Sequence, residues 1–165
     1  DIDGAVSRTA AAGEVWTFVA KSVSTYRVFV RKADGTAVVE GAEAGTWTPS
    51  LGGNATYTVQ AGRYLKIGKL VYIHAEITVN VLGTGSTTVV SGFPFTTASG
   101  QFRGGLSPGY FESLATAIVS LVFRLRAGGT SVIVSSLTAA ATNPSEVAIF
   151  GNSARLNFSG CYEAA

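Results

Sequence analysis

One segment of the sequence, residues 101–112, combines the side-chain types that proteins use to hold sugars. Its aromatic and charged members are Phe102, Arg103, Tyr110, Phe111 and Glu112. Aromatic rings stack on the faces of sugar rings, and charged side chains hydrogen-bond to sugar hydroxyls. We therefore predict a carbohydrate-binding loop here; the alternative is that Phe102 and Phe111 anchor an irregular loop in the core. A second polar group, nearer the end of the chain, is Asn143, Glu146 and Asn152.

The titratable residues do not suggest a catalytic set. His74 lies two residues before Glu76, so on a strand both would face the same side, about 6–7 Å apart. A hydrolytic triad would also need a serine presented by a Gly-x-Ser-x-Gly turn, and we expect none. Glu112 and Glu146 are the two carboxylates placed to cleave a glycosidic bond, but the sequence does not fix their separation. We expect no enzyme activity and interpret His74 as a surface or interface residue.

Composition excludes several other classes of function. The chain has 165 residues, a net charge of +2 and no run of Lys and Arg, so we expect no nucleic-acid partner. One His and one Cys cannot supply the ligands of a zinc site, and Cys161 alone cannot close an intrachain disulfide. The longest apolar stretch, 114–125, has about 12 residues against the roughly 20 of a membrane helix. We expect no metal, no cofactor and no membrane insertion.

The elements that must position these residues are β-strands. From Leu70 to Val81, six apolar residues at odd positions alternate with more polar ones, a period of two that predicts a long antiparallel strand with one dry face. The same pattern predicts a strand over 117–126 with Val119 on the core face. Further strands are predicted over 14–19, 25–31, 131–137 and 155–163. The fold class is therefore all-β, an antiparallel β-sandwich or jelly-roll-like domain.

The chain divides into two parts, 1–45 and 46–165. In the first part, the turn pair Asp34-Gly35 predicts a β-hairpin that returns into 36–40, and such a hairpin is marginal unless something covers its apolar face. Only 13% of residues are charged, and the mean hydropathy is +0.33, so polar side chains are too few to cover a monomer. We expect a homo-oligomer in which the first part intertwines with other copies.

Five short motifs follow one another in the second part. They are Gly45-Thr46-Trp47-Thr48-Pro49, then Tyr57, then Gly62-Arg63-Tyr64-Leu65-Lys66-Ile67-Gly68 running into Leu70-Val71-Tyr72-Ile73, then Gly92-Phe93-Pro94-Phe95, and Phe158-Ser159-Gly160-Cys161-Tyr162. In this order and spacing the chain resembles the distal, C-terminal domains of the tail fibres and tailspikes of tailed bacteriophages. The resemblance excludes 101–142 and departs from the usual pattern at Phe93, where Leu is commoner, and at Cys161, where Thr is.

The resemblance implies a homotrimeric tip, with 1–45 as a β-hairpin neck or the end of a fibre shaft and 46–165 as the distal domain. Such a tip would bind a host surface polysaccharide or lipopolysaccharide without cleaving it. It would belong to the virion, attached to an upstream shaft or spike body, and be made in the bacterial host cytoplasm. The alternative is a C-terminal trimerisation and folding-registration domain of a tailspike whose polysaccharide-cleaving domain lies upstream.

Overall fold

The computed structural model describes residues 14–20, 26–32, 42–100, 104–139 and 143–165. The chain divides into two compact units, Asp1–Glu40 and Gly41–Ala165. In the first unit, β1 (Glu14–Ala20) pairs antiparallel with β2 (Tyr26–Lys32). These two strands were predicted from the sequence and are confirmed, whereas the Asp34-Gly35 turn and its returning strand lie outside the described residues.

The second unit contains two antiparallel sheets. Its strands are β3 (Ala42–Trp47), β4 (Thr56–Ile67), β5 (Leu70–Val81), β6 (Val89–Ser91), β7 (Gly104–Glu112), β8 (Ser120–Leu125), β9 (Ser131–Leu137) and β10 (Arg155–Glu163). One sheet has the order β3-β4-β5-β10-β7, and the other has the order β6-β9-β8. The buried apolar side chains come from both sheets. The predicted all-β, antiparallel β-sandwich is confirmed.

Strand β5 shows why the larger sheet has one dry face. Its odd residues from Val71 to Val79 are at most 1% exposed, while the even residues between them are exposed or half-buried. Side chains alternate between the two faces of a strand, so the odd residues enter the core and the even residues form the outer face of the five-stranded sheet. The prediction that Val81 joins the dry face is wrong, because Val81 is the last residue of β5 and is exposed.

Two further predictions differ from the structure. Strand β8 begins at Ser120 and not at residue 117, and Val119, which lies just before it, is 65% exposed instead of facing the core. The predicted loop 101–112 is strand β7 from Gly104 onward. Its Pro108 has no N–H to donate to a neighbouring strand, which an edge strand tolerates, and β7 is an edge of the five-stranded sheet.

Residues from four of the five motifs meet at one aromatic cluster in the core. The Trp47 ring lies 5.3 Å from Phe93 and 6.4 Å from Phe158, and Phe93 lies 5.4 Å from Tyr162, measured between ring centroids. Gly62 passes beneath the indole so closely that a Cβ atom there would lie 2.5 Å from Nε1 of Trp47. These motif residues therefore specify the packing of the sandwich, whereas Leu65, Ile67, Leu70 and Tyr72 of the third motif are exposed on the outer face of the five-stranded sheet.

Candidate functional site

A β-bulge in β7 determines which of its side chains reach the outer face. In the register with β10, Pro108 pairs with Phe158 but Tyr110 pairs with Asn157, so Gly109 is an extra residue in β7. Such a residue reverses the alternation of the strand beyond it. As a result Tyr110 and Glu112 face outward, whereas an unbroken alternation from Leu106, which is buried, would turn both towards the core.

Four side chains gather on the outer face beside this bulge, and we call them the polar cluster. They are Tyr110, Glu112, Arg155 and Glu76. The hydroxyl of Tyr110 donates a hydrogen bond to the carboxylate of Glu112. The guanidinium carbon of Arg155 lies 5.2 Å from the centre of the Tyr110 ring, and one of its nitrogens donates to Oε1 of Glu76 over 2.8 Å. Strands β7, β10 and β5 each contribute to the cluster.

The hydrogen bonding within the polar cluster fixes its protonation and its orientation. The pKa of Tyr110 is raised, chiefly by the hydrogen bond to Glu112 and further by burial and by the negative charge of that carboxylate. The phenol therefore keeps its proton at neutral pH. Arg155 contacts both the ring and Glu76, which holds the planar guanidinium in one place. Tyr110 remains 46% exposed, so a ligand can reach it.

Two buried polar atoms next to the cluster lack a hydrogen-bond partner within the described residues. They are Nε of Arg155 and Oδ1 of Asn157. Asn157 stands between Glu76 on β5 and Tyr110 on β7 in the strand register. The outer face at this point therefore combines a half-exposed ring, two carboxylates, a guanidinium and an amide on three adjacent strands.

The residues predicted for sugar binding fall into three groups. Tyr110 and Glu112 lie together in the polar cluster. Phe111 pairs with the buried Leu156 and packs against the core, which fits the alternative that it is an anchor. Phe102 and Arg103 lie outside the described residues. Arg155 was not anticipated, although its alternation with Leu156 and Phe158 already indicates that it points away from the core.

The second predicted polar group is not gathered into a site. Glu146 contacts the guanidinium of Arg124, with both side chains about half exposed. The side-chain oxygen of Asn152 accepts a hydrogen bond from the backbone N–H of Leu82 over 2.9 Å, which ties a loop to the end of β5. Asn143 is exposed. Glu146 and Asn152 therefore make separate local contacts.

Residues with catalytic potential do not converge in the described part of the chain. His74 and Glu76 share the outer face as predicted, but Glu76 pairs with Arg155, and His74 stands beside Arg63 and Ser159 in the register. The sequence does contain one Gly-x-Ser-x-Gly pattern, at 105–109. This pattern lies inside strand β7. The serine of such a pattern acts as a nucleophile when it stands on a sharp turn from a strand into a helix, and β7 continues as a strand at this point.

The described residues form neither a metal site nor a membrane-spanning helix. No group of three or more His, Cys, Asp and Glu residues there lies close enough to hold a metal ion. No helix in those ranges is long and apolar enough to cross a membrane. A shallow cavity of about 360 Å³ near Lys69 and Glu163 has no aromatic side chain in its lining, so it lacks the stacking surface that a sugar ring prefers.

No known protein family matches this chain, and no curated protein matches it. Among solved structures, it is similar to the crystal structure of the Dettilon tailspike protein, with a TM-score of 0.59 and 13% sequence identity. The similarity covers 75% of this chain but 24% of the tailspike chain, so the chain spans about a quarter of that protein's length. At this identity the two share a fold.

Proposed function

We propose that this chain is the distal tip domain of a bacteriophage tail fibre or tailspike, and that it binds a host cell-surface carbohydrate as a homotrimer without cleaving it. The polar cluster is the observation that carries the carbohydrate-binding proposal. The fold shared with the Dettilon tailspike protein and the order of the five motifs support a place in the phage tail, and hence in the virion.

The chemistry of the polar cluster suits the hydroxyl groups of a polysaccharide or lipopolysaccharide. Hydroxyls both donate and accept hydrogen bonds, and the cluster offers two carboxylate acceptors in Glu76 and Glu112 and a guanidinium donor in Arg155. The half-exposed ring of Tyr110 supplies an apolar surface for the face of a sugar. With two negative charges and one positive charge, the cluster favours a neutral sugar over an acidic one.

A glycan array of bacterial capsule and O-antigen oligosaccharides, followed by titration calorimetry with the best oligosaccharide, tests the proposal. Replacing Arg155 by Ala removes a charged hydrogen-bond donor, which costs ~1.5–3 kcal/mol, so we expect Kd to rise about 10- to 150-fold. Arg155→Lys keeps the charge but loses the planar contact with Tyr110, and should bind more weakly than the native chain.

Arg124→Ala is the matched control, because Arg124 is also half-exposed and also pairs with a glutamate, Glu146, yet lies outside the polar cluster. We expect Arg124→Ala to leave Kd unchanged. Equal affinity for Arg155→Ala and Arg124→Ala would refute the site. Release of reducing ends from the polysaccharide by the native chain would refute the non-catalytic role.

The second candidate function is trimerisation and folding registration, within a tailspike whose polysaccharide-cleaving domain lies upstream. An apolar area on the outer face, formed by Leu65, Ile67, Leu70 and Tyr72, favours it. Deleting 46–165 from the full-length protein separates the two functions. A truncated protein that still assembles but no longer adsorbs to cells supports receptor binding, whereas one that becomes monomeric or insoluble supports registration.

A further inference from the structure

A second exposed tyrosine ring stands on the outer face of the five-stranded sheet, beyond the polar cluster. Tyr110 of the polar cluster is 46% exposed, and Tyr72 on β5 is 44% exposed. Tyr72 points outward because its neighbours Val71 and Ile73 both enter the core, and Tyr110 points outward because of the bulge in β7. The outer face therefore offers a sugar two aromatic rings on the same side of the sheet.

Strand β10 fixes the distance between the two rings. Tyr110 pairs with Asn157 on one side of β10, and Tyr72 pairs with Cys161 on the other side. Asn157 and Cys161 are separated by about 13 Å along the strand, and neighbouring strands lie about 4.8 Å apart. The backbones of the two tyrosines are therefore about 16 Å apart on a diagonal across three strands, which is further than one sugar ring extends.

A row of polar side chains crosses the sheet between the two rings. Ser159 on β10 pairs with His74 on β5 and with Ser107 on β7. All three point outward, since each directly follows a buried residue of its own strand. None of the three side chains forms a hydrogen bond with another residue that the structure describes. Their donors and acceptors are therefore available to the hydroxyl groups of a ligand.

The surface beside Tyr72 is open in the direction of β7. Cys161, the next residue across the sheet, is half-buried, and Gly105, which pairs with Cys161 on β7, has no side chain. A Cβ atom at Gly105 would meet nothing within 4 Å. In this row of the sheet, no bulky side chain of the described residues stands between Tyr72 and the edge strand.

We propose that the outer face binds an internal stretch of a polysaccharide, with one sugar stacked on Tyr110 and a later sugar of the same chain stacked on Tyr72. The row of His74, Ser159 and Ser107 hydrogen-bonds to the sugars between them. This inference rests on the proposed function and deepens it, because it specifies the ligand as a polymer and not as a single terminal sugar. A glycan that reaches both rings gains a second stacking contact, so it binds more tightly than one that reaches Tyr110 alone.

Tyr72→Ala tests the second ring. The probes are two fragments of the polysaccharide that binds best on the glycan array. One is a disaccharide, which is too short to reach from one ring to the other, and the other contains several repeating units. Loss of one aromatic contact should raise the Kd of the longer fragment about 2- to 12-fold, whereas the Kd of the disaccharide, measured by titration in NMR, should stay the same.

Leu65→Ala is the matched control. Leu65 is 42% exposed and pairs with Tyr72 across β4 and β5, but it lies on the side of Tyr72 away from Tyr110. Its variant should keep the native Kd for both fragments, and light scattering should give both variants the mass of the native chain. A raised Kd in both variants, or a changed mass of Tyr72→Ala, would assign Tyr72 to a contact between proteins and overturn the proposal.

Protection of a single thiol gives a second, independent readout. Ser107→Cys is made together with Cys161→Ser, which removes the one natural cysteine. The longer fragment should slow the reaction of this thiol with iodoacetamide several-fold, because position 107 lies between the two rings. Val119→Cys in the same background is the control: Val119 is 65% exposed and lies just before β8, in the other sheet, so its reaction rate should not change.

The outcomes separate this inference from the function on which it rests. An unchanged Kd of Tyr72→Ala for the longer fragment, or an unprotected thiol at position 107, overturns the extended surface. If the disaccharide still binds and Arg155→Ala still weakens it, carbohydrate binding at the polar cluster stands. Absence of binding to every glycan on the array overturns both proposals.

Discussion

Replacing Tyr162 by Phe removes one oxygen atom from the centre of the sandwich. Tyr162 is fully buried, and its hydroxyl donates to the backbone oxygen of Phe95 over 3.0 Å and accepts from the backbone N–H of Phe95 over 3.3 Å. The substitution leaves both backbone groups without that partner. Leaving a buried donor or acceptor unsatisfied costs ~1–3 kcal/mol, so we expect the free energy of unfolding to fall by about that amount at pH 8.

The same hydroxyl makes stability depend on pH in the alkaline range. Burial raises the pKa of Tyr162 to about 12, against about 10 in the unfolded chain. Below pH 10 the phenol is protonated in both states and contributes no pH dependence. Between pH 10 and 12 the unfolded chain loses this proton while the folded chain retains it, so stability falls with rising pH by about 1.4 kcal/mol for each pH unit.

Urea unfolding of the native chain and of Tyr162→Phe at pH 8 and pH 11 measures both effects. The other tyrosines and the lysines titrate in both proteins and cancel in the difference. We expect the native chain to be more stable at pH 8, and the difference to shrink by about 1.4 kcal/mol at pH 11. A difference that is the same at both pH values would show that the hydroxyl is not shielded from water, and would contradict the packing of β10 described above.

Two further substitutions test the core directly. Gly62→Ala places a Cβ atom 2.5 Å from Nε1 of Trp47, and we expect it to lower the free energy of unfolding by ~1–3 kcal/mol. Gly105→Ala is its control, because nothing lies within 4 Å of a Cβ atom there, and it should change the free energy of unfolding by less than ~0.5 kcal/mol. Thr97→Val keeps the volume of a fully buried side chain but removes its hydrogen bonds with the backbone of Arg126 and Gly129. We expect a loss of ~1–3 kcal/mol in urea unfolding, and no loss would show that water replaces the hydroxyl.

Strands with regular alternation were predictable, and strands without it were not. The bounds of β5 match the prediction because its period of two is unbroken and its dry face is entirely apolar. The sequence of β7 predicts a loop because four of its nine residues are Gly or Pro, a composition typical of turns. The structure shows instead an edge strand, where the lost hydrogen-bond donor of Pro108 is tolerated.

Only part of the candidate site was predictable, because the rest depends on the pairing of strands that are far apart in the sequence. The sequence indicates that Tyr110 and Glu112 have the right chemistry. It does not reveal that both face the same side as Arg155, because that depends on the extra residue Gly109 and on the register between β7 and β10. The contact between Arg155 and Glu76 joins residues 79 positions apart, which no local pattern predicts.

The core lies on the inner face of the five-stranded sheet, and the proposed binding site lies on its outer face. Inward-facing residues such as Phe158 and Tyr162 are completely or almost completely buried, so a change of volume there acts on the whole fold. Their neighbours Asn157 and Ser159 on the same strand point outward and are half-buried. The outer face can therefore change with less effect on the packing of the core than the inner face. The low identity of 13% to a tailspike of the same fold is what such a separation allows.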